Sequence, residues 1–410
     1  MASDNKRILV VGQHFWPETF RINDICDFLV EKDCEIDVLC GMPNYPQGHF
    51  FEGYSYFHNR KQRHNGVNIR RVFEVARGNN SDTRIFLNYV TFPIASLFHI
   101  PRLLTRKYDK ILIYQTSPVM MALAGIIVGK LKRTETTMYV LDLWPENLFS
   151  VKNINSSFAR GMAAIVSRWH YNHADKLVAL SQKMASRLLE VTKKPPEQIT
   201  ILPQACEKIY ETNIYDKDLA KKFKGKFNVL FTGNISPAQS FETIIAAAQQ
   251  LQKAGVTGIN WIIVGDGMSR KWLEAEVARA GLSDIFHFEG LKPMADIPKY
   301  TTIADVLLGC LVKSELLEAT IPAKVMSYFA AGRPMVLAMD GEARELVNHT
   351  IKCGFAGPTG DSKTLANNIK KVYGLKPGER ANLGERARAY HFKHFERNII
   401  LSRLYDFIFS

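Results

Sequence analysis

Apolar residues fall in short runs along this chain, and each run is followed by a stretch in which they recur at helical spacing. "RILVVG", "EIDVLCG", "DKILIY", "TTMYVLD" and "KLVALS" read as strands, with a helix near 20–32 after the first. Strands alternating with helices imply a mostly parallel sheet covered on both faces, and ligands then bind beyond the carboxyl ends of the strands. After "ITILPQACEKIY" and the polar "DKDLAKKFKGK" the alternation restarts, with strands "FNVLFTG", "INWIIVG", "IFHFEG", "DVLLGC" and "PMVLA". Helical segments such as "SFETIIAAAQQLQKAG" and "SRKWLEAEVARAG" separate them. The pattern predicts an α/β protein of two units meeting within 203–226, drawn as 1–205 and 206–390. A last segment, 391–410, continues a long aromatic-rich amphipathic helix that could pack back on the first unit.

Two stretches raise the question of a membrane. "PVMMALAGIIVG" (118–129) is shorter than the roughly 18–20 residues a bilayer demands and reads as a buried crossover helix. "TFPIASLFHIPRLLTRK" (91–107) sets aromatics and leucines beside a basic end, as in helices that lie in a membrane interface or as in a core helix with a basic tip.

Composition supports this picture. The 410 residues are 46% hydrophobic and 23% charged, as in a soluble globular protein with material for two cores. Cysteines 26, 34, 40, 206, 310 and 353 form no C-x-x-C pair and read as reduced structural thiols of a cytosolic protein. "MASDNKRILVVG" lacks the pattern of a signal peptide, so export is not expected. The formal charge is +13, and residues 60–110 carry eleven Lys and Arg against Glu74, Asp82 and Asp109. Such a field suits nucleic acid, phospholipid or diphosphate-bearing partners, or is simply a solvated face. Interleaved aromatic and basic motifs for nucleic acid are missing, so no nucleic acid is expected.

Candidate chemistry lies at strand ends. "LFTGNIS" holds Gly233 and Asn234, and "VGDGMS" holds Gly265, Asp266 and Gly267. Glycine there lets a backbone approach a ligand, and the helix that follows offers N–H groups to a phosphate. Tight turns capped by Ser236 or Ser269 are the plainer alternative. Neither loop is G-x-G-x-x-G or a Walker loop, which gives dinucleotide or ATP chemistry little support. In "EATIPAKVMSYFAAGRP" Pro322 starts a helix whose first turn carries Lys324, a positive charge that suits an anion. "HFWPETFR" (14–21) and "GMPNYPQG" (41–48) mix aromatic and hydrogen-bonding residues suited to sugar rings or to ordinary loop packing. In "VLDLWPENL", Asp142 and Glu146 flank Trp144 and could polarise an acceptor hydroxyl, or be a turn residue and an early-helix charge. No metal-ligand spacing and no G-x-S-x-G occurs, so no metal is expected.

The ordered set "FWPE", "GMPNYPQG", "LDLWPEN", "GNISPAQSFETI", "IVGDG" and "EATIPAKVMSYFAAGRPMVLA" resembles the retaining GT-B glycosyltransferases of family four, in particular a bacterial polysaccharide branch with WbuB-like N-acetylfucosaminyltransferases. The resemblance implies two Rossmann-like doubly wound domains facing a central cleft, with a UDP-sugar donor on the C-terminal one and no cofactor. It implies a lipid-diphosphate-linked saccharide as acceptor, in the synthesis of O-antigen, capsule or another surface polysaccharide, at an anionic membrane surface on the cytoplasmic side. Glu318 would face the donor sugar, and Ile321 to Lys324, with Thr320 and Pro322, would receive the diphosphate beside Gly233, Asn234 and Gln239. Gly265, Asp266 and Gly267 would lie near the base, and Asp142 near the reacting centre with Glu318 and Lys324. Phe15, Trp16, Glu18, Arg21, Asn44, Tyr45, Trp144 and Glu146 would serve the acceptor.

Two departures stand out. Family members commonly carry an Arg and a Lys after the first C-domain strand, where this chain has Asn234 and Gln239. The family's E-x7-E pattern ends in a glutamate whose apparent position is occupied here by Ser327, and a serine hydroxyl cannot form the bidentate acceptor pair that glutamate offers to ribose. An epimerase or phosphorylase on the same architecture, or a binding protein without turnover, therefore stays open.

Overall fold

The computed structural model describes residues 5–78, 81–146, 156–318 and 320–410. They divide into two compact units, 1–202 with 401–410, and 203–400.

The first unit contains β1 (Arg7–Val11), α1 (Arg21–Glu31), β2 (Glu35–Cys40), β3 (Lys61–His64), β4 (Val67–Arg71), α2 (Asp82–Leu97), α3 (Ile100–Leu104), β5 (Lys110–Gln115), α4 (Leu123–Lys132), β6 (Thr136–Val140), α5 (Ser157–His173), β7 (Lys176–Ala179), α6 (Gln182–Val191) and β8 (Ile199–Ile201). The sheet order is β3-β4-β2-β1-β5-β6-β7-β8. Every pairing is parallel except β3 with β4. Both faces of β1 are buried: Ile8 and Val10 pack with Ile22, Ile25 and Leu29 of α1, while Leu9 and Val11 pack with Ile113 and Ile126 on the other face. This is why the parallel strands read as continuous apolar runs.

The second unit contains β9 (Phe227–Thr232), α7 (Phe241–Lys253), β10 (Ile259–Val264), α8 (Arg270–Arg279), β11 (Phe286–Gly290), β12 (Val306–Cys310), α9 (Ala323–Ala331), β13 (Met335–Ala338), β14 (Gly354–Gly357), α10 (Ser362–Gly374) and α11 (Pro377–His394), while α12 (Arg397–Phe409) begins in it and belongs to the first from residue 401. Its sheet is wholly parallel in the order β11-β10-β9-β12-β13-β14. The strand order reverses direction at β1 in the first sheet and at β9 in the second, and such switch points open crevices at the carboxyl ends.

Three expectations change in detail. The C-terminal segment is two helices, α11 and α12, interrupted at Phe395 and Glu396. His391 stays in the second unit, 3.0 Å from Glu211, and it is Leu401, Leu404 and Ile408 that join the core of the first. The 91–107 stretch spans α2 and α3 and is of mixed character, with Phe92 fully buried and Phe98 82% exposed. Third, 118–129 is a single 3-10 turn running into α4, with Ala124, Ile126 and Val128 buried as a crossover should be. Among the described residues no helix is long and apolar enough to cross a membrane.

Candidate active site

In the second unit four strand ends converge. The backbone leaves β9 through Gly233 (φ 133°) and β10 through Gly265 and Gly267 (φ 145° and 157°), values that side chains with a Cβ rarely adopt. A Cβ at 265 would collide with the Gly233 carbonyl, and one at 267 with Asn234 and the Ile235 carbonyl. These glycines allow the two loops to lie against each other. Gly233 N donates to Val264 O at 2.9 Å, Ile235 N to Asp266 O at 2.9 Å and Ser269 N to Ile235 O at 3.0 Å. The Asp266 carboxylate closes its own turn by accepting from Gly267 N at 2.8 Å.

The third contribution is α9. Pro322 precedes its first turn, and no side chain caps it. Tyr328 locks the helix in place: its hydroxyl accepts from Thr232 N at 3.0 Å and donates to Leu308 O at 3.2 Å, joining α9 to the ends of β9 and β12. Lys324 reaches back over the Phe231 ring at 3.7 Å, donates to Gln239 Oε1, and sits where a Cβ on Gly233 would be 3.5 Å from Nζ. Among the described residues no carboxylate pairs with it. Burial lowers its pKa to about 7, with a smaller opposing influence from Cys310. Ser327 donates its hydroxyl to Ala323 O at 3.2 Å, satisfying itself within the helix. Glu318 ends a short helix, Glu315–Glu318, whose backbone lies against Gly341 after β13. Thr320 and Ile321, both half-buried, lead from it to α9. Gly332, at φ 67°, ends α9 in the left-handed turn its sequence suggests.

The corresponding strand ends of the first unit are built differently. Glu18 is buried and accepts from Asn44 N at 2.8 Å and Tyr45 N at 2.6 Å, with His14 Nδ1 at 3.0 Å. Asn44 Nδ2 also donates to Glu74 at 2.7 Å, and Gln13 Nε2 donates to Glu74 at 3.0 Å and to Asn88 at 2.9 Å. Burial, foremost, and the Glu18 charge hold the Glu74 carboxyl well above its usual range. Gly41 makes room for that carboxyl, which a Cβ would strike at 2.5 Å. Tyr45 is 40% exposed beneath the Arg77 guanidinium, 5.0 Å from the ring centre. Trp16 stacks on His64 at 3.9 Å, Phe15 is buried in the core, and Arg21 opens α1.

Around β5 and β6 the placement departs from expectation. Asp142 accepts from Ser117 N at 2.9 Å and from Ser117 Oγ at 2.8 Å, and that hydroxyl accepts from the Trp144 indole at 2.9 Å. Trp144 is 7% exposed and belongs to the core, so it presents no free face to a sugar. Glu146 is held by Arg187 Nε at 2.7 Å in an ion pair. Each carboxylate has its own partners, Ser117 for Asp142 and Arg187 for Glu146. No group of three or more His, Cys, Asp or Glu side chains suited to a metal occurs among the described residues.

Residues 215–390 match the family Glycosyl transferases group 1. The chain is 28% identical over 217 residues to a 2-deoxystreptamine glucosyltransferase of Streptomyces kanamyceticus, covering 52% of this chain and about half, 54%, of that protein. It is 22% identical over 349 residues to the putative colanic acid biosynthesis glycosyl transferase WcaI of Escherichia coli, covering 82% and 83%. The matched family and both of these relatives are glycosyltransferases. The fold is GT-B: Anabaena HepE, solved in complex with UDP and glucose, superposes with a TM-score of 0.69 at 18% identity, over 99% of this chain and 100% of that one.

The family match covers the unit that contains the glycine loops and α9. Reading the sequence missed Gln13, His14, Glu74, Arg77 and Asn88, which complete the polar cluster of the first unit. Gln13 and His14 directly follow a strand and Gly12, a signal that could have found them. Glu74 and Asn88 had none, since their proximity to Asn44 is purely tertiary.

Proposed function

We propose that this protein is a glycosyltransferase that retains configuration at the donor carbon and moves a sugar from a UDP-sugar to a lipid-diphosphate-linked saccharide in surface polysaccharide synthesis. An N-acetylhexosamine such as N-acetyl-L-fucosamine is the first donor to try. The observation that carries the reading is Lys324: an ammonium without a carboxylate partner among the described residues, at an uncapped helix start and against the β9 glycine turn. An anion neutralises it best, and helix N-termini favour phosphate. The UDP in the HepE complex and the colanic acid pathway in the WcaI name support the same donor and product class.

In this reading the Gly233 and Asn234 turn, Gln239 and the Ile321 to Lys324 segment hold the diphosphate. The Gly265 to Gly267 loop approaches the base, Ser327 lies toward the ribose, and Glu318 binds hydroxyls of the donor sugar. As the glycosidic bond breaks, charge grows on the leaving diphosphate, where Lys324 and the first α9 amides stabilise it. A phosphate oxygen takes the acceptor proton on the same face, and Asp142 orients the acceptor hydroxyl. Glu18, Asn44 and Tyr45 shape the acceptor side. The enzyme works in the cytoplasm, peripheral to the inner face of the membrane.

The deoxystreptamine relative favours a second acceptor class, a soluble aminocyclitol. Product analysis with UDP-sugars and both acceptor types decides between them. NMR of the new glycosidic bond tests retention: the same anomeric configuration as the donor is expected, and inversion overturns it.

A further inference from the structure

A second charged concavity lies away from the strand ends, on the face of the first sheet at its β3–β4 edge, beside α3. Its volume is about 340 Å³, and Lys61, Arg63, Arg70, Arg102 and Arg106 line it around Asp37. The hairpin register sets Lys61 directly across from Arg70, a like-charge pair that the sheet alone does not favour. Asp37 is already committed, accepting from Arg106 at 2.8 and 2.7 Å, from Asn68 at 3.1 Å and from the Tyr108 hydroxyl at 3.1 Å. Among the described residues no carboxylate pairs with Lys61, Arg63, Arg70 or Arg102. Partial burial and then the neighbouring charges of Arg102, Arg106 and Arg60 depress the pKa of Arg70, which marks crowded, uncompensated positive charge.

An apolar groove borders it. Phe73, Ile94, Ala95 and Phe98 line a cavity of about 370 Å³ together with Arg60 and His99. Arg60 adjoins Lys61 in sequence, His99 is one helical turn from Arg102, and the charges of Arg70, Arg60 and Arg102 all act on His99, which sets the apolar cavity beside the basic one. Phe98 is 82% exposed and Ile94 51%. A free phosphate would use the guanidinium forks and leave the apolar groove idle. A phosphate carried on a lipid uses both.

We propose that this concavity binds the headgroup phosphate of an anionic phospholipid, with Phe73, Ile94 and Phe98 entering the acyl layer. It is an accessory membrane site, distinct from the donor and acceptor residues, and it rests on the membrane-linked part of the functional reading.

The test is partition of the full chain onto phosphatidylcholine vesicles with and without phosphatidylglycerol, and onto vesicles given equal charge by oleate. Arg70→Gln with Arg102→Gln should weaken binding to phosphatidylglycerol vesicles about thirtyfold, from the usual contribution of two basic side chains at an anionic surface. Phe98→Ser should weaken it further, and phosphatidylglycerol should outperform oleate. Lys217→Gln with Lys221→Gln, exposed on the second unit, removes the same charge and should bind as the unaltered protein.

The proposal is overturned if the arginine pair binds normally, if the lysine pair loses as much, or if oleate vesicles bind equally well. A melting shift with inorganic phosphate but no vesicle binding overturns the lipid source. Turnover of UDP-sugar is measured on the same samples. Lost vesicle binding with turnover intact removes this site alone, whereas absent turnover in the unaltered protein removes the transferase substrate reading and leaves the vesicle result to stand by itself.

Discussion

The strand ends of the two sheets solve opposite problems. In the second unit the backbone lines the site: three glycines clear space, the helix start is uncapped, and one lysine rests on the Phe231 ring and an amide oxygen with no carboxylate partner among the described residues. In the first unit side chains fill the corresponding region, and two buried acids, Glu18 and Glu74, are matched by Asn44, Gln13 and His14 before any ligand arrives. A backbone-lined cradle suits a constant group such as a diphosphate. A side-chain network can be re-shaped by substitution, which on the proposed function suits the unit assigned to the acceptor.

The sharpest way to break this contrast is Lys324→Ala. Loss of a preorganised cation at developing charge should lower kcat/KM for the donor by about 10²- to 10³-fold, measured by product formation at limiting UDP-sugar. Near-normal kinetics would mean that the second unit's cradle does not hold the leaving group.

The first unit should instead respond in stability. Glu74→Ala leaves Asn44 and Gln13 donors unmatched in a buried place and should cost about 1–3 kcal/mol, seen as a lower melting temperature. Because the folded-state pKa of Glu74 is raised, its contribution is full below the ordinary 4.5 and is lost as pH rises toward the folded value. Glu74→Gln should flatten that decline; an unchanged pH profile would show that Glu74 is not the titrating group.

Lys324 has the opposite sign. Its folded pKa of about 7 lies below the ordinary 10.5, so the ligand-free protein holds fewer protons than the unfolded chain across that window and gains stability as pH rises. UDP requires the charged form, so its affinity should fall by up to about tenfold per unit above pH 7. Calorimetry from pH 6 to pH 9 reads this slope, and Lys324→Arg should remove it.

The smallest effect expected is at Ser327. Its hydroxyl bonds within α9, so Ser327→Glu adds a carboxylate acceptor at little structural cost and should tighten UDP binding by about 1 kcal/mol, roughly fivefold. No change in affinity would place the ribose elsewhere.

The parallel strands were legible in the sequence because burial on both faces makes them unbroken apolar runs, as in "RILVVG" and "FNVLFTG". The hairpin of β3 and β4 was not: "KQRH" is a short polar edge strand with no apolar signal, and in "VNIRR" the buried alternation falls on Val67, Ile69 and an arginine, Arg71, too short and too charged to read as a strand. Trp144 and Glu146 looked like ligand-facing residues because aromatic and acidic types are common in sugar sites. What set their places was Ser117 on the preceding strand end and Arg187 on α6, neighbours separated in sequence.

The sequence by itself determined the two α/β units, the glycine turns and the helix started by Pro322, since each follows from local propensity and periodicity. Only the tertiary structure decided which charges meet. It brought Lys324 to Gly233 and Gln239, buried Glu74 beside Glu18, and crowded Arg70 against Arg102. Charge interactions depend on distance and burial, and neither is set by spacing along the chain once the separation exceeds a helical turn.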